Sequence, residues 1–191
     1  MTRRLIVLLL SVCCASMIAA CGTPTADTPT PTMDMSSHML HATADPATLA
    51  LPYDVLFIDG MMMHHLAAID MANAALQSAT NPDIKALATQ IVTTQSAEVT
   101  QLRDWRATWY PNAPMTAGTG AHMGTMQVST DEAIPYDVRW ITAMIDHHKG
   151  AVTMAQEALT KAEHAELKTL STAIIEAQNT EIAQMEAWLP K

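Results

Sequence analysis

YDVLFIDGMMMHHLAAIDMANAAL, residues 53–76, decides the fold, because the same text returns later in the chain. Residues 136–159 read YDVRWITAMIDHHKGAVTMAQEAL, displaced by 136 − 53 = 83 positions. The register continues without a gap to Trp105 and Trp188, through Leu76/Leu159, Gln95/Gln178 and Glu98/Glu181. A self-match of that length means two copies of one structural unit.

Each copy reads as a helical hairpin. Apolar residues recur at helical spacing through the quoted stretches. Pro52 and Pro135 stand where a first-turn proline belongs, and Asp54 and Asp137 follow near the positive helix end. Asn81-Pro82-Asp83 is a stop-and-restart signal. His164-Ala165-Glu166 is a weaker break, but the register puts it at the same turn. The second helices are predicted from Pro82 to Trp109 and from Ala165 to Trp188. Two hairpins bury four apolar stripes most simply as an all-α four-helix bundle. The expected domain spans 51–191, with copy one at 52–110, a Gly- and Pro-bearing loop at 111–133 and copy two at 134–190. The composition agrees, with aromatics at only 4% and six glycines in 191 residues.

The N-terminus reads as an export signal rather than as part of the fold. Arg3 and Arg4 precede an apolar run from Leu5 to Ala20, short for a membrane span. It ends in IAAC, residues 18–21, which is similar to a bacterial lipoprotein cleavage box. Residues 1–20 are therefore expected to be removed, leaving Cys21 as the lipidated N-terminus and the only thiol. Gly22 does not resemble an inner-membrane retention signal. Residues 21–50, rich in Thr and Pro, read as a flexible tether. The membrane is then a partner through the anchor alone. A net charge of −9 and the lack of a basic patch exclude nucleic acid.

Helical geometry turns the repeated motif into a candidate site. At 100° per residue, Asp54, Phe57, Ile58, Met61, His64, His65, Ala68 and Met71 share one stripe. Asp137, Trp140, Ile141, Met144, His147, His148, Ala151 and Met154 repeat it. Phe57 and Ile58 mark that stripe as the core face. On the second helices Glu98 and Glu181, with Gln95 and Gln178, interrupt otherwise apolar faces, and a buried Glu is costly unless paired or bound to a cation. With the first turn centred near residue 80, His64 and His65 stand level with residues 95 and 96. Applied to both copies, one layer holds Met61, His64, His65, Gln95, Glu98, Met144, His147, His148, Gln178 and Glu181. Met71 and Met154 lie two turns nearer the hairpin tips. Which imidazole of each adjacent pair faces the centre stays open.

Each Met or His alone reads as core filler or a hydrogen-bonded side chain. The duplicated layer points instead to a metal site, with a buried His, Gln and Glu network as the alternative. Without further cysteines, ligands must be His, Met, carboxylate or amide. Thioether with imidazole suits copper, Cu(I) above all, and suits iron or manganese poorly. Met61 and Met144 stand three residues before a His, where di-iron bundles carry Glu. Met33, Met35, His38, Met39 and His41 in the tether, and Met115, His122, Met123 and Met126 in the loop, are accessory candidates. Because imidazole must be neutral to ligate, affinity is expected to weaken near and below pH ~6.

The duplicated M-x-x-H-H-x-x-A-x-x-M-A pattern resembles the family called domain of unknown function 305, over roughly 53–190. The resemblance implies a ferritin-like four-helix bundle, commonly exported, with copper binding or copper resistance through Met and His in some members. On matching positions it implies Met61, His64, His65, Met71, Met144, His147, His148 and Met154 as ligands. Leu66-Ala67 in copy one against Lys149-Gly150 in copy two leaves those ligands unchanged. The leading expectation is a non-enzymatic copper-binding lipoprotein that sequesters copper or passes it to a copper-handling protein. A di-metal oxidase or peroxidase-type bundle using iron or manganese, with Glu98 and Glu181, is the alternative. A structural bundle without metal is the third reading.

Overall fold

The computed structural model describes residues 51–118 and 122–189. The proposed signal, Cys21 and the tether with its Met and His residues lie outside them. Four helices follow in order: α1 Tyr53–Ser78, α2 Pro82–Trp109, α3 Tyr136–Lys161 and α4 Ala165–Trp188. No strand occurs among the described residues. Both second helices begin and end where the sequence places them. The two prolines differ slightly from expectation. Pro52 and Pro135 are extended N-cap residues, with φ −54° and −52°, just outside the first helical turn. α1 is long and apolar enough to cross a membrane, but much of it is buried in the bundle.

Each helix packs most extensively on its hairpin mate, and the hairpins join chiefly through α1 against α3. The first turn is capped locally, since the Asn81 side chain accepts from Asp83 N at 2.8 Å. The second turn lacks such a cap, because His164 makes no side-chain cap bond. Its free backbone amides go instead to the other hairpin. Asp54, at the start of α1, accepts from Glu163 N at 2.9 Å, from His164 N at 3.1 Å and from His164 Nδ1 at 2.6 Å. Asp137 does the same for the first turn, accepting from Thr80 N and Asn81 N, both at 3.0 Å. The aspartates read from sequence as helix-dipole partners thus cap across hairpins, and each copy closes the turn of the other.

The core forms two apolar clusters separated by a polar layer. One takes Met71, Ile84, Leu87, Ile91, Trp140, Met144, Ile182 and Met185. The other takes Phe57, Met61, Leu102, Met154, Leu167 and Ile174. On every helix the sequence between these sets carries the polar residues: His64 and His65, Gln95 and Glu98, His147 and His148, Gln178 and Glu181. All are buried except half-buried Glu98. Burying the flanking apolar side chains contributes roughly 1.5–3 kcal/mol each, which offsets the cost of the layer.

The loop between the copies is tied to copy one by an ion pair that copy two lacks. Arg106 Nε donates to buried Asp59 Oδ1 at 2.8 Å. Its Nη2 donates to the carbonyls of Ala113 and Pro114, and Asp59 Oδ2 also accepts from Thr116 N at 2.9 Å. At the equivalent positions copy two has Thr142 and Leu189. Two glycines then let the loop lie on the bundle. Gly118, φ +70°, sits where a Cβ would be 2.4 Å from Gly60 Cα, and Gly124, φ +60°, where one would be 2.6 Å from the Asp146 carbonyl.

Candidate metal centre

The layer is real, and it resolves the adjacent histidines into two roles. His64 and His147 face each other across the α1–α3 contact, with ring centroids 3.8 Å apart and planes tilted by 47°. His65 and His148 turn to their own hairpin mates. His65 Nε2 lies 2.8 Å from Glu98 Oε2, and His148 Nε2 lies 2.8 Å from Glu181 Oε2. The His148 contact is a well-directed hydrogen bond. The His65 contact is as short but does not meet hydrogen-bond alignment. Rings of adjacent residues stand 6.4 Å apart in copy one and 6.3 Å in copy two.

His64 and His147 are fully buried, and neither ring has a hydrogen-bond partner at Nδ1 or Nε2. Buried imidazole nitrogens are ordinarily satisfied, and each orphan costs about 1–3 kcal/mol. Burial pushes the His64 ring down to about 2, aided by the neighbouring His147, His65 and His148. Burial likewise pushes His147 down to about 3, with His148 and His65 adding to it. Both rings are therefore neutral at any physiological pH, the form that ligates metals.

The thioethers flank this pair. Met61 and Met144 are fully buried, and Met71 and Met154 nearly so. Because the hairpins are antiparallel, Met61 and Met154 share one cluster while Met71 and Met144 share the other. Trp140 Nε1 donates to the Met71 carbonyl at 2.9 Å, seven residues (71 − 64 = 147 − 140) from the facing rings on both helices. That bond fixes the register in which the rings meet and places Met71 level with Trp140, outside the histidine layer.

Glu98 and Glu181 are in the layer but engage His65 and His148 rather than the facing rings. Among the described residues no group of three or more His, Cys, Asp or Glu side chains gathers as a metal cage. The iron or manganese reading would need such a group. Among the loop candidates, Met123 packs on the cluster that holds Met61 and Met154. His122 Nε2 lies 3.3 Å from Glu157 Oε1, Met126 is half-buried and Met115 is 69% exposed.

Gly150, which the sequence marks only as a difference between the copies, also matters here. A Cβ on Gly150 would stand 3.1 Å from His64 Nε2, 3.0 Å from Gly124 N and 2.4 Å from the His122 carbonyl. The Lys149-Gly150 departure from Leu66-Ala67 is thus not neutral for the site. It lets the loop and the His64 ring share one face of α3. The signal was in view, since a glycine inside a helix usually has a packing reason.

The fold and its centre define an internally duplicated four-helix bundle built around a buried histidine layer. The model for "Domain of unknown function (DUF305)" matches residues 54–189. The chain belongs to that family. Among solved structures it is similar to CopM in the Cu(I)-bound form, at 36% identity and TM-score 0.61, covering 71% of this chain and 94% of that one. CopM in the Cu(II)-bound form aligns at 38% identity and TM-score 0.62, covering 71% and 94%. A DUF305 protein from Streptomyces coelicolor shares the fold at 23% identity and TM-score 0.58, covering 70% of this chain and 90% of that one. No curated protein matches the chain.

Proposed function

We propose that this protein binds copper outside the cytoplasm, at the facing His64 and His147, with Met61 and Met144, three residues before them on the same helices, as the first candidate sulfur ligands, and Met71 and Met154, seven residues beyond, as further thioethers along the core. One observation carries the reading: two neutral, fully buried imidazoles face each other at 3.8 Å with all four ring nitrogens unpartnered. A soft cation would take up the lone-pair nitrogen of each ring, and thioethers on either side favour Cu(I). CopM, similar over most of the domain, has been solved with Cu(I), Cu(II) and silver, which supports a soft-metal reading. His65 and His148, each held by a carboxylate, act as supports that orient the layer.

The domain is carried, in this reading, on Cys21 as a lipidated anchor and on residues 21–50 as a tether, after removal of 1–20. Its role is to sequester copper or to pass it to a copper-handling partner. The test is titration of the full chain with Cu(I) against a competing chelator. The wild type should compete, and His64→Ala with His147→Ala should lose most of that competition. Equal competition by the double variant rejects the assignment.

A further inference from the structure

The loop between the copies is held unequally on the two helices that carry the facing rings. On α1 it is fixed at a buried ion pair, Asp59 with Arg106, where Asp59 also accepts from Thr116 N at 2.9 Å. On α3 its polar ties lie at the surface. Thr125 Oγ1 donates to Oδ2 of exposed Asp146. His122 Nε2 meets Glu157 Oε1 at 3.3 Å, and both side chains are part-exposed. Exposed ties of this kind hold weakly, whereas a buried pair is costly to break.

Residues 122–124 form the cover over one ring. His64 is fully buried, yet its Nε2 reaches a place on α3 where only the hydrogen of Gly150 stands. A Cβ at that place would be 3.1 Å from the ring nitrogen, 3.0 Å from Gly124 N and closer still to the His122 carbonyl. The cover is one chain thick, since Gly124 is itself exposed on its outer side. Its φ of +60° lets it lie against the Asp146 carbonyl and the His147 Cα. Met123 is only half-buried against the cluster that holds Met61 and Met154. The other two imidazoles, His65 and His148, meet Glu98 and Glu181 of α2 and α4 instead.

We propose that residues 122–125 are a gate over His64, unlatched from α3 while the loop stays pinned on α1, through which a small ligand reaches the facing rings. A weakly tied surface segment opens at far less cost than the bundle unfolds. As the way in for copper the gate rests on the copper reading above; as a property of the metal-free protein it does not.

The probe is diethyl pyrocarbonate, which acylates neutral imidazole nitrogen. It is applied at pH 7 to the metal-free full chain under single-hit conditions, and each histidine is read by fragment-ion mass spectrometry. Thr125→Val removes the latch hydroxyl and Asp146→Ala removes its acceptor. Each should speed modification of His64 roughly threefold to tenfold, as the loss of one hydrogen bond implies. His148 in the same samples should keep its wild-type rate, because it faces Glu181 rather than the loop. Ala177→Leu, which narrows the cleft between α2 and α4, should leave His64 at the wild-type rate. An unchanged His64 rate in both latch variants overturns the proposal, because the loop then does not limit access. An equal rise at His148 overturns it in favour of opening of the whole bundle, and slowing by Ala177→Leu in favour of a route between α2 and α4. Cu(I) competition by the same proteins is scored separately. Its absence beside a faster His64 removes the copper reading and leaves the gate; intact competition beside an unchanged His64 does the reverse.

Discussion

Replacing His64 and His147 with leucine should make the metal-free protein more stable. Both rings are fully buried and their four nitrogens are unpartnered. A neutral imidazole brings one donor and one acceptor, and each orphan costs about 1–3 kcal/mol. Leucine of similar size removes that cost and keeps the apolar contact with the flanking clusters. Taking the low end, and allowing for repacking, each replacement should add about 1–2 kcal/mol. The assay is urea unfolding of metal-free wild type, both single variants and the double, read by helical circular dichroism. The double variant should also lose any rise in midpoint on adding Cu(I), because a ligand stabilises only the state that binds it. A metal-free double variant less stable than wild type by more than about 1 kcal/mol would refute the reasoning. It would mean that the rings are satisfied and structural.

Cu(I) affinity of the folded chain should stay level from pH 7 to pH 5, because burial holds His64 at about 2 and His147 at about 3; a competition titration across that range that falls steeply near pH 6 contradicts it. This revises the sequence-based expectation of weakening near pH ~6. Stability itself should fall with acid: the unfolded chain protonates these histidines below their ordinary value near 6.5 while the folded one does not, so stability present above that value is lost progressively towards pH 3, as denaturant midpoints would show. Asp137→Ala should cost about 1–2 kcal/mol by removing the cap on the other hairpin's turn. Burial works to raise the Asp137 carboxyl, but hydrogen bonds from Thr80 and Asn81 outweigh it and hold it low, so the gap between wild type and variant should close as pH drops below about 3.8. Gly150→Ala should destabilise despite the usual gain of about 1 kcal/mol for such a change in a helix, since the new Cβ meets the His122 carbonyl; a more stable variant in thermal melts would refute that contact. Arg106→Met should cost about 3–5 kcal/mol by leaving Asp59 buried and unpaired, measurable by the same melts.

Much of this molecule was legible because it is written twice. The register of Asn81 against His164 located a turn that the second copy barely signals. Counting back from that turn placed His64 and His65 level with Gln95 and Glu98, and the layer stands there. The choice between adjacent rings was not legible. His64 and His65 both fall on the inward stripe, and only the α1–α3 packing decides that one meets its twin and the other a carboxylate. The Asp59–Arg106 pair and the Gly150 contact were missed for a related reason. Each serves the connecting loop, which breaks the repeat, so nothing in the duplication pointed to them.

The exchange of caps between the hairpins has an architectural consequence. Asp54 finishes the bend of the later half, and Asp137 that of the earlier one. Neither half is self-sufficient: a lone copy would lose the aspartate that caps amides at its own bend, would leave its own aspartate idle, and would present the face that its twin normally covers. Such a fragment is complementary to itself about a two-fold axis. The covalent link between halves therefore turns what would be a concentration-dependent association into a property of one chain, and frees the two sides to diverge.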